Sequence, residues 1–167
     1  SDFMLWYTQS GTPEVMARID WDGTAGRLKI TFDQTVPSTP GQPVKKPMPI
    51  PVRFGLVGAN GDDMHASRIS GAIVRDDVLV LDEGRHEVVF EGLATRPVPS
   101  LLRGFSAPVR LTTTLDLTDQ TFLAARDGDP FNRWQAIQGL AMRGLIEATT
   151  TARQGRAPHF EATIVEA

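Results

Sequence analysis

Histidine is the residue type that most often serves metal binding and acid–base chemistry at neutral pH, and this chain has three: His65, His86 and His159. A zinc site of the H-E-x-x-H kind needs two imidazoles one turn apart on one helix face, with a glutamate placed to activate water. No two of these histidines have that spacing. We therefore expect them to be solvated or hydrogen-bonded, and no metal-binding residue is predicted.

Ser106 is a candidate nucleophile. Residues 104–108 read G-F-S-A-P, which is close to the G-x-S-x-G elbow that places a serine between a strand and a following helix. Here a strand is predicted after Ser106, and a proline replaces the last glycine. The sequence favours a turn in which Ser106 makes a local hydrogen bond. No catalytic residue is predicted.

Four pairs of neighbouring aspartates could in principle bind calcium or act as an acid–base pair. The first pair fails the EF-hand pattern, because Thr24, Ala25 and Thr31 stand where a ligand, the glycine and the bidentate glutamate belong. All four pairs flank predicted turns or helix starts, where aspartate is favoured by its hydrogen bonds to the backbone. The pairs are Asp20/Asp22, Asp62/Asp63, Asp76/Asp77 and Asp127/Asp129.

The elements that would position such groups are mainly strands. Apolar and polar residues alternate over 14–36 around an Asp22-Gly23 turn, which predicts a β-hairpin. Short apolar or alternating runs follow, separated by glycine and proline, and together predict about six or seven strands in an antiparallel immunoglobulin-like β-sandwich. These later runs are 52–56, 69–73, 78–81, 86–90 and 109–115.

A proline-dense segment, residues 37–51, interrupts the strands. Proline fixes φ and removes an N–H donor, so this segment is predicted to be an extended connection. Pro40, Pro43 and Lys45 also match a P-x-x-P-x-basic ligand, which a polyproline II helix would present to an aromatic groove. The sequence favours the first interpretation, in which the segment packs against a neighbouring domain.

The hydrophobic period changes to a helical one near residue 117. Thr118 is predicted to cap a short helix that ends near Asp127, and Asp129-Pro130 predicts the start of a long helix that stops near Gly155. Its predicted apolar face needs a partner, so exposed apolar surface is expected. Residues 158–167 are predicted to open another helix. We expect two domains, a β-sandwich over 1–117 and the start of a helical domain over 118–167.

Composition excludes several functions. The 167 residues are 41% hydrophobic and 22% charged, with a net charge of -3, so neither nucleic acid nor anionic lipid is an expected partner. The chain contains no cysteine, which excludes disulfides and fits a cytoplasmic location. No apolar run is long enough to span a membrane. The first residue, Ser1, is not methionine, which is expected of a piece of a longer protein.

Four sequence strings, taken in order, resemble the segment that follows the catalytic domain in bacterial members of the zinc aminopeptidase N family. Their order and spacing cover nearly the whole chain, and the first and third are the most specific. They are W-Y-T-Q-S-G-T-P at 6–13, T-P-G-Q-P at 39–43, R-P-V-P-S-L-L-R-G-F-S-A-P-V at 96–109 and D-P-F-N-R-W at 129–134.

The resemblance implies a multidomain zinc enzyme that removes N-terminal residues from peptides. In this family a thermolysin-like catalytic domain precedes a small β-sandwich and a C-terminal helical domain, and this chain is similar to the last two at their junction. The zinc ligands, the catalytic glutamate, the G-x-M-E-N motif and the catalytic tyrosine of the family belong to the catalytic domain, and no residues here match them. The resemblance therefore implies no cofactor in this segment and zinc in the parent enzyme.

The sequence leaves three functional hypotheses. The first is an inactive structural segment whose partners are the catalytic and helical domains of the same parent chain, with peptides as substrates of the parent only. The second is an independent sandwich-type binding module that holds a peptide through the proline segment or a strand edge. The third is a hydrolase built around Ser106, which the sequence favours least.

Overall fold

The alternating residues 14–36 form the predicted hairpin in the computed structural model, which describes residues 2–157. Strands β1 (Glu14–Asp22) and β2 (Arg27–Thr35) pair antiparallel, and Ile19 faces Ile30 across the pair. The turn is closed by Asp22, whose Oδ1 accepts hydrogen bonds from the backbone N–H groups of residues 24 and 25 at 3.1 and 3.0 Å. The period-two pattern therefore sets which side chains reach the core.

Two sheets enclose that core. One has the strand order β4-β7-β2-β1-β9 and the other β5-β6-β3-β8. All pairs are antiparallel except β1 with β9. This arrangement confirms the predicted sandwich. The remaining strands are β3 (Ile50–Val57), β4 (Arg68–Ser70), β5 (Ile73–Arg75), β6 (Val78–Leu81), β7 (Arg85–Glu91), β8 (Val98–Leu101) and β9 (Arg110–Thr113).

The core lies between the facing sheets and consists of large apolar side chains. Phe54 of β3 meets Phe90 of β7 edge-on, with ring centroids 5.3 Å apart. Burial of such side chains is the main favourable term in folding, at about 1.5–3 kcal/mol each. Its fully buried members include Leu28, Ile30, Phe32, Leu79, Leu81, Val88 and Phe90.

The strand count differs from the prediction, because residues 2–157 contain nine strands rather than six or seven. Strands β4 and β5 have three residues each, too few to show alternation. Strand β8 contains Pro99, and a proline in a sequence argues against predicting a strand there. It is tolerated because β8 pairs only with β3 and so lies at a sheet edge, where the missing N–H removes no hydrogen bond. The last strand is also shorter than the predicted 109–115.

The predicted N-cap of the short helix was wrong by two residues. Helix α2 (Leu117–Arg126) begins one residue before Thr118, and its N-cap is Asp116. The Asp116 backbone is extended, with ψ 178°, and its Oδ1 accepts the backbone N–H of Asp119 at 2.8 Å. A carboxylate accepts this hydrogen bond and also interacts favourably with the positive helix end.

Replacing Asp116 by alanine is expected to lower the free energy of unfolding by about 1 kcal/mol, because the capping hydrogen bond is lost. Replacing Thr118 by alanine is the matched control, since its hydroxyl makes no hydrogen bond within residues 2–157. It should change stability by no more than about 0.5 kcal/mol. Urea unfolding of the two variants measures the difference. A larger loss of stability from Thr118→Ala than from Asp116→Ala would show that Thr118 is the N-cap after all.

The long helix begins as predicted. Helix α3 (Pro130–Arg153) has Asp129 as its N-cap, which accepts the backbone N–H of Asn132 at 2.9 Å, and Pro130 occupies the first turn. The chain leaves the helix at Gly155, whose φ is +71°. Such a left-handed residue commonly ends a helix. His159 and the helix predicted over 158–167 lie outside the described residues.

Only part of the predicted apolar face of α3 is buried. Of the residues predicted to form this face, Ala148 is buried, whereas Trp134 is 56% exposed and Leu145 is also 56% exposed; Leu140, which was not predicted to belong to it, is buried. The expected exposed apolar surface is therefore present on this helix. We call it the apolar patch of α3, formed by Trp134, Ile137, Met142, Leu145 and Ile146. Within residues 2–157, no helix has both the length and the hydropathy needed to cross a membrane.

Candidate functional site

The two described histidines lie in different surroundings. His86 lies on β7, and its Nε2 is 3.2 and 3.1 Å from the backbone nitrogens of Asp82 and Glu83. Its Nδ1 is 3.1 Å from the carbonyl oxygen of Gly71. His65 is exposed. Across residues 2–157 no three His, Asp or Glu side chains form a group that could hold a metal ion, so the donor groups present there do not fit zinc.

Ser106 makes a structural hydrogen bond, although not the local one that was predicted. It follows a 3-10 turn, Arg103–Phe105, and its Oγ accepts the backbone N–H of Arg53 at 3.0 Å. Because β9 rather than a helix follows it, Ser106 does not occupy a nucleophile elbow. The hydroxyl joins this turn to strand β3.

The aspartate pairs serve turns, caps and ion pairs. Asp20 lies 3.8 Å from Lys29, and Asp77 lies 3.2 Å from Arg53. Asp62 accepts a hydrogen bond from Asn60 at 2.8 Å. These contacts are on the surface and contribute little to stability. Three of the remaining aspartates, Asp63, Asp127 and Asp129, meet at one place.

That place is a polar junction between the sandwich and the helices, centred on Arg103. The Arg103 guanidinium donates to both carboxylate oxygens of Asp63, at 2.8 Å for Nη2, and the same Nη2 donates to Asp127 at 3.0 Å. Its Nε donates to Ser100 at 2.9 Å. We call the group the Arg103 junction, and its members are Asp63, Ser100, Arg103, Asp127, Asp129 and Asn132.

The start of α3 is bound into the Arg103 junction. Asp127 accepts the backbone N–H of Asp129 at 2.9 Å, and Asp129 accepts the backbone N–H of Gly104 at 3.1 Å. Asn132 Nδ2 donates to Ser100 Oγ and to the carbonyl oxygen of Leu101, both at 2.8 Å. The first turn of the helix is therefore tied to β8 and to the turn after it.

Burial makes the Arg103 junction energetically important. The Asp127 side chain is 0% exposed and the Arg103 side chain 11% exposed. Burial lowers the pKa of Arg103, but its hydrogen bond to Asp63 and the charges of Asp127, Asp63 and Asp129 outweigh this and raise the pKa above its ordinary value. The guanidinium is thus charged at any pH at which the fold is stable.

Space for Arg103 comes from a glycine on strand β3. A side-chain carbon added at Gly55 would lie 2.0 Å from Arg103 Cζ and 2.1 Å from Nη1. No carbon approaches a guanidinium that closely, so only glycine allows the arginine to lie flat across the strand here. Gly55 therefore belongs to the Arg103 junction by shape.

A second ion pair holds α2. Arg96, before β8, donates two hydrogen bonds of 2.7 Å to the two carboxylate oxygens of Asp119 in the first turn of the helix. The Asp119 side chain is 7% exposed. The hydrogen bond raises the pKa of Arg96 more than burial lowers it. Helix α2 is thus attached to the sandwich by a bidentate arginine–carboxylate pair, which also fixes its orientation.

At the other end of the chain, the N-terminal segment is attached to the proline segment by two glutamines. Gln42 accepts the backbone N–H of Ser10 and donates to the carbonyl oxygen of Thr8, both at 2.9 Å. Gln9 accepts the backbone N–H of Lys46 at 2.7 Å and donates to its carbonyl oxygen at 2.9 Å. Each glutamine therefore binds a backbone segment through both ends of its amide.

Trp6 completes this attachment, because its Nε1 donates to the carbonyl oxygen of Pro49 at 2.9 Å. Trp6 lies on a short helix, α1 (Leu5–Thr8), that was not predicted. Two of the distinctive strings, at 6–13 and 39–43, thus contact each other. The connection is not extended throughout, because it contains a turn over residues 39–42 and its last two residues, Ile50 and Pro51, belong to β3. Its partner within the described residues is the N-terminal segment.

The polyproline II interpretation of the P-x-x-P match is wrong. Gly41 has φ +79°, and the backbone N–H of Gln42 donates to the carbonyl oxygen of Thr39 at 2.8 Å. Pro40 and Gly41 therefore form the centre of a tight turn, whereas polyproline II requires negative φ throughout. Lys45 Nζ donates to Thr39 and Gln42, at 2.9 and 2.8 Å, so the basic residue is used internally.

Sequence reasoning missed the Arg103 junction. Its residues are far apart in the chain, with Asp63 separated from Arg103 by 40 positions and Asn132 from Ser100 by 32. The string at 96–109 contained both Arg96 and Arg103, and an arginine between apolar residues is a signal of a buried ion pair. That signal does not identify the carboxylates that pair with the two arginines.

Two family models match the chain. The model described as "Domain of unknown function (DUF3458) Ig-like fold" matches residues 11–114. The model described as "Domain of unknown function (DUF3458_C) ARM repeats" matches residues 117–167.

Curated relatives carry the name aminopeptidase N. The protein from Caulobacter vibrioides is 42% identical over 147 residues, which is 87% of this chain and 16% of that protein. The protein from Escherichia coli is 34% identical over 140 residues, covering 84% of this chain and 16% of the relative. The Haemophilus influenzae protein is 32% identical over 100% of this chain and 19% of its own length.

A solved structure agrees with them. The crystal structure of Legionella pneumophila aminopeptidase A in complex with aspartic acid superposes with a TM-score of 0.72 at 26% identity, covering 99% of this chain and 17% of that one. The chain therefore spans less than a fifth of the length of these relatives.

Proposed function

Because the chain belongs to the aminopeptidase N family, in which it matches the Ig-like domain and the ARM-repeat domain that follows it, we propose that it is a non-catalytic interdomain segment. The parent protein is a zinc-dependent aminopeptidase that removes N-terminal residues from peptides. The segment itself contributes no catalytic residue, and its work is to hold the helical domain at a fixed angle to the rest of the enzyme. An enzyme gains rate from such positioning only when the reacting groups are present.

The Arg103 junction is the observation that carries this proposal. A surface connection between two domains needs no buried charge, yet here a fully buried carboxylate and a mostly buried guanidinium join them. A buried ion pair costs free energy unless its hydrogen-bonding partners are held in place. The Arg103 junction therefore favours one orientation of the helices relative to the sandwich. The proposed boundary lies between residues 117 and 118, and the division of the two family models supports it.

The proposed partners are the catalytic and helical domains of the same parent chain. The apolar patch of α3 supports this for the helical domain, because ARM repeats stack helix on helix and bury such faces against the next repeat. The donor groups of residues 2–157 do not fit zinc, so zinc belongs to the catalytic domain in this proposal. We also propose a cytoplasmic location, no nucleic-acid partner and no membrane contact.

The 167-residue chain, supplied with zinc, is expected to release no 4-nitroaniline from alanine 4-nitroanilide above the buffer rate. The reason is that neither a metal site nor an activated nucleophile is present in the described residues. Absorbance at saturating substrate measures the rate. Zinc-dependent hydrolysis that survives a second purification step would contradict the proposal. If hydrolysis occurred without zinc and was lost in Ser106→Ala, the serine hydrolase hypothesis would replace it.

A further inference from the structure

A groove of about 340 Å³ lies between the edges of strands β8 and β9 and helix α3. Leu101 of β8 and Leu111 and Thr113 of β9 line it from the sandwich, and Gly139 and Arg143 line it from the helix. Its volume falls in the range of about 300–1,000 Å³ that is usual for small ligand pockets. Among residues 2–157, β8 pairs only with β3 and β9 only with β1, so both strands border the groove with unpaired edges.

The edge of β9 offers backbone hydrogen bonds toward the groove. The N–H groups of Arg110 and Thr114 donate to the carbonyl oxygens of Pro13, just before β1, and Ala17, within β1, at 2.9 and 3.1 Å. Alternate residues of a strand direct these groups to opposite sides, so Leu111 and Thr113 present theirs away from β1. Both residues line the groove. Such an edge is a template on which an extended peptide can add a strand.

Asn132 places a buried side chain at the groove. It is 8% exposed and lines the groove beside β8. Its Nδ2 donates to Ser100 and Leu101, but its Oδ1 receives no hydrogen bond from residues 2–157. A buried acceptor without a donor costs about 1–3 kcal/mol. This oxygen has almost no accessible surface, so it is not a contact for a ligand in the groove.

The charge in the groove has one sign. Arg143 lines it, no acidic side chain does, and Arg143 forms no ion pair with any residue in 2–157. A ligand with a carboxylate near Arg143 is therefore complementary, and a basic ligand is not.

Gly139 keeps the groove open. A side-chain carbon added there would have no neighbour within 4 Å. Glycine inside a helix costs about 0.5–1 kcal/mol relative to alanine, so the helix itself gives no reason for it. The helix therefore has open space at Gly139, which lines the groove.

We propose that this groove binds an extended peptide segment with a carboxylate at one end. The peptide pairs its backbone with Leu111 and Thr113 and places its carboxylate at Arg143. The site is separate from the proline segment, and it does not depend on the function proposed above. Binding requires no hydrolysis, so its test and the activity assay have independent outcomes.

The test uses the 167-residue chain and a peptide labelled with fluorescein at its N-terminus, Val-Thr-Val-Ser-Val, whose one carboxylate is the free C-terminus. Fluorescence anisotropy is expected to show saturable binding with a Kd below about 1 mM, and amide NMR shifts should locate it at Leu111 and Thr113. Gly139→Leu fills the groove and should weaken binding by about tenfold or more. Gln138→Leu adds the same side chain one position away, outside the groove, and should leave binding unchanged.

Two further arms identify the contacts. Arg143→Gln should weaken binding of the acid peptide by about tenfold, yet leave the C-terminal amide peptide unaffected. A peptide N-methylated at alternate residues should not bind, because it cannot pair with β9. Leucine has a higher helix propensity than glycine, so Gly139→Leu is not expected to unfold α3. A loss of binding in this variant is therefore not explained by unfolding. Saturable binding that is insensitive to both Gly139→Leu and N-methylation would overturn the proposal. The absence of binding by any peptide at about 1 mM would also overturn it, because a Kd of about 1 mM is the weakest expected of a specific site.

Discussion

Replacing Arg103 by methionine is expected to lower the free energy of unfolding by about 3–5 kcal/mol, because it leaves a buried carboxylate without its cation. Asp127 has 0% side-chain exposure and would retain only the backbone N–H of Asp129 as a partner. Methionine fills much of the volume of arginine, so lost packing contributes little. Urea unfolding of the 167-residue chain, followed by circular dichroism, gives the value.

The control for this change is Arg53→Met, which removes the same side chain from a surface pair. Arg53 and Asp77 are 3.2 Å apart, and both side chains are about half exposed. Such a pair contributes at most about 1 kcal/mol. The double variant Arg103→Met/Asp127→Asn removes the stranded charge and should be more stable than Arg103→Met alone. Equal losses for Arg103→Met and Arg53→Met would show that the Arg103 junction does not hold the helices.

Replacing Gly55 by alanine is expected to cost about 3 kcal/mol, which is large for the addition of one methyl group. The added carbon would lie 2.0 Å from Arg103 Cζ, so the guanidinium must leave its position between Asp63 and Asp127. The effect is therefore a loss of the ion pairs by displacement. The same unfolding experiment measures it.

Two comparisons separate displacement from other causes. In the Arg103→Met background the Gly55 change should cost clearly less, since the guanidinium is no longer there to be displaced. Gly139→Ala is the matched glycine change in open space and should stabilise helix α3 by about 0.5–1 kcal/mol. Additive losses for Gly55→Ala and Arg103→Met would refute a shared mechanism.

Local patterns predicted the parts of the fold that depend on neighbouring residues. The β1–β2 hairpin followed from period-two alternation, and the start of α3 followed from Asp129 and Pro130. Local patterns failed where a neighbour in space decides the outcome. Pro99 lies in a strand because that strand is at an edge, and Asp116 rather than Thr118 caps α2 because its backbone is extended there.

The Arg103 junction could not be predicted for the same reason. A buried ion pair has no periodicity, and its partners come from a loop after β3, a turn after β8 and the start of α3. The resemblance drew attention to the string that contains Arg103, because that string matches the family over many residues. It could not say that Gly55 makes room for the side chain, since that depends on how closely the Arg103 guanidinium approaches strand β3.

The parallel pairing of β1 with β9 has a consequence for biosynthesis. The backbone N–H of Ile19 in β1 donates to the hydroxyl of Thr114, which is 95 positions later in the chain. On the ribosome, β1 therefore emerges long before the strand that covers its edge, and the first sheet is closed only when almost the whole sandwich has been translated. Contacts of such long sequence separation form slowly. Helix α2 begins at Leu117, directly after this closure, so the helical domain starts to emerge only as the sandwich becomes able to receive it.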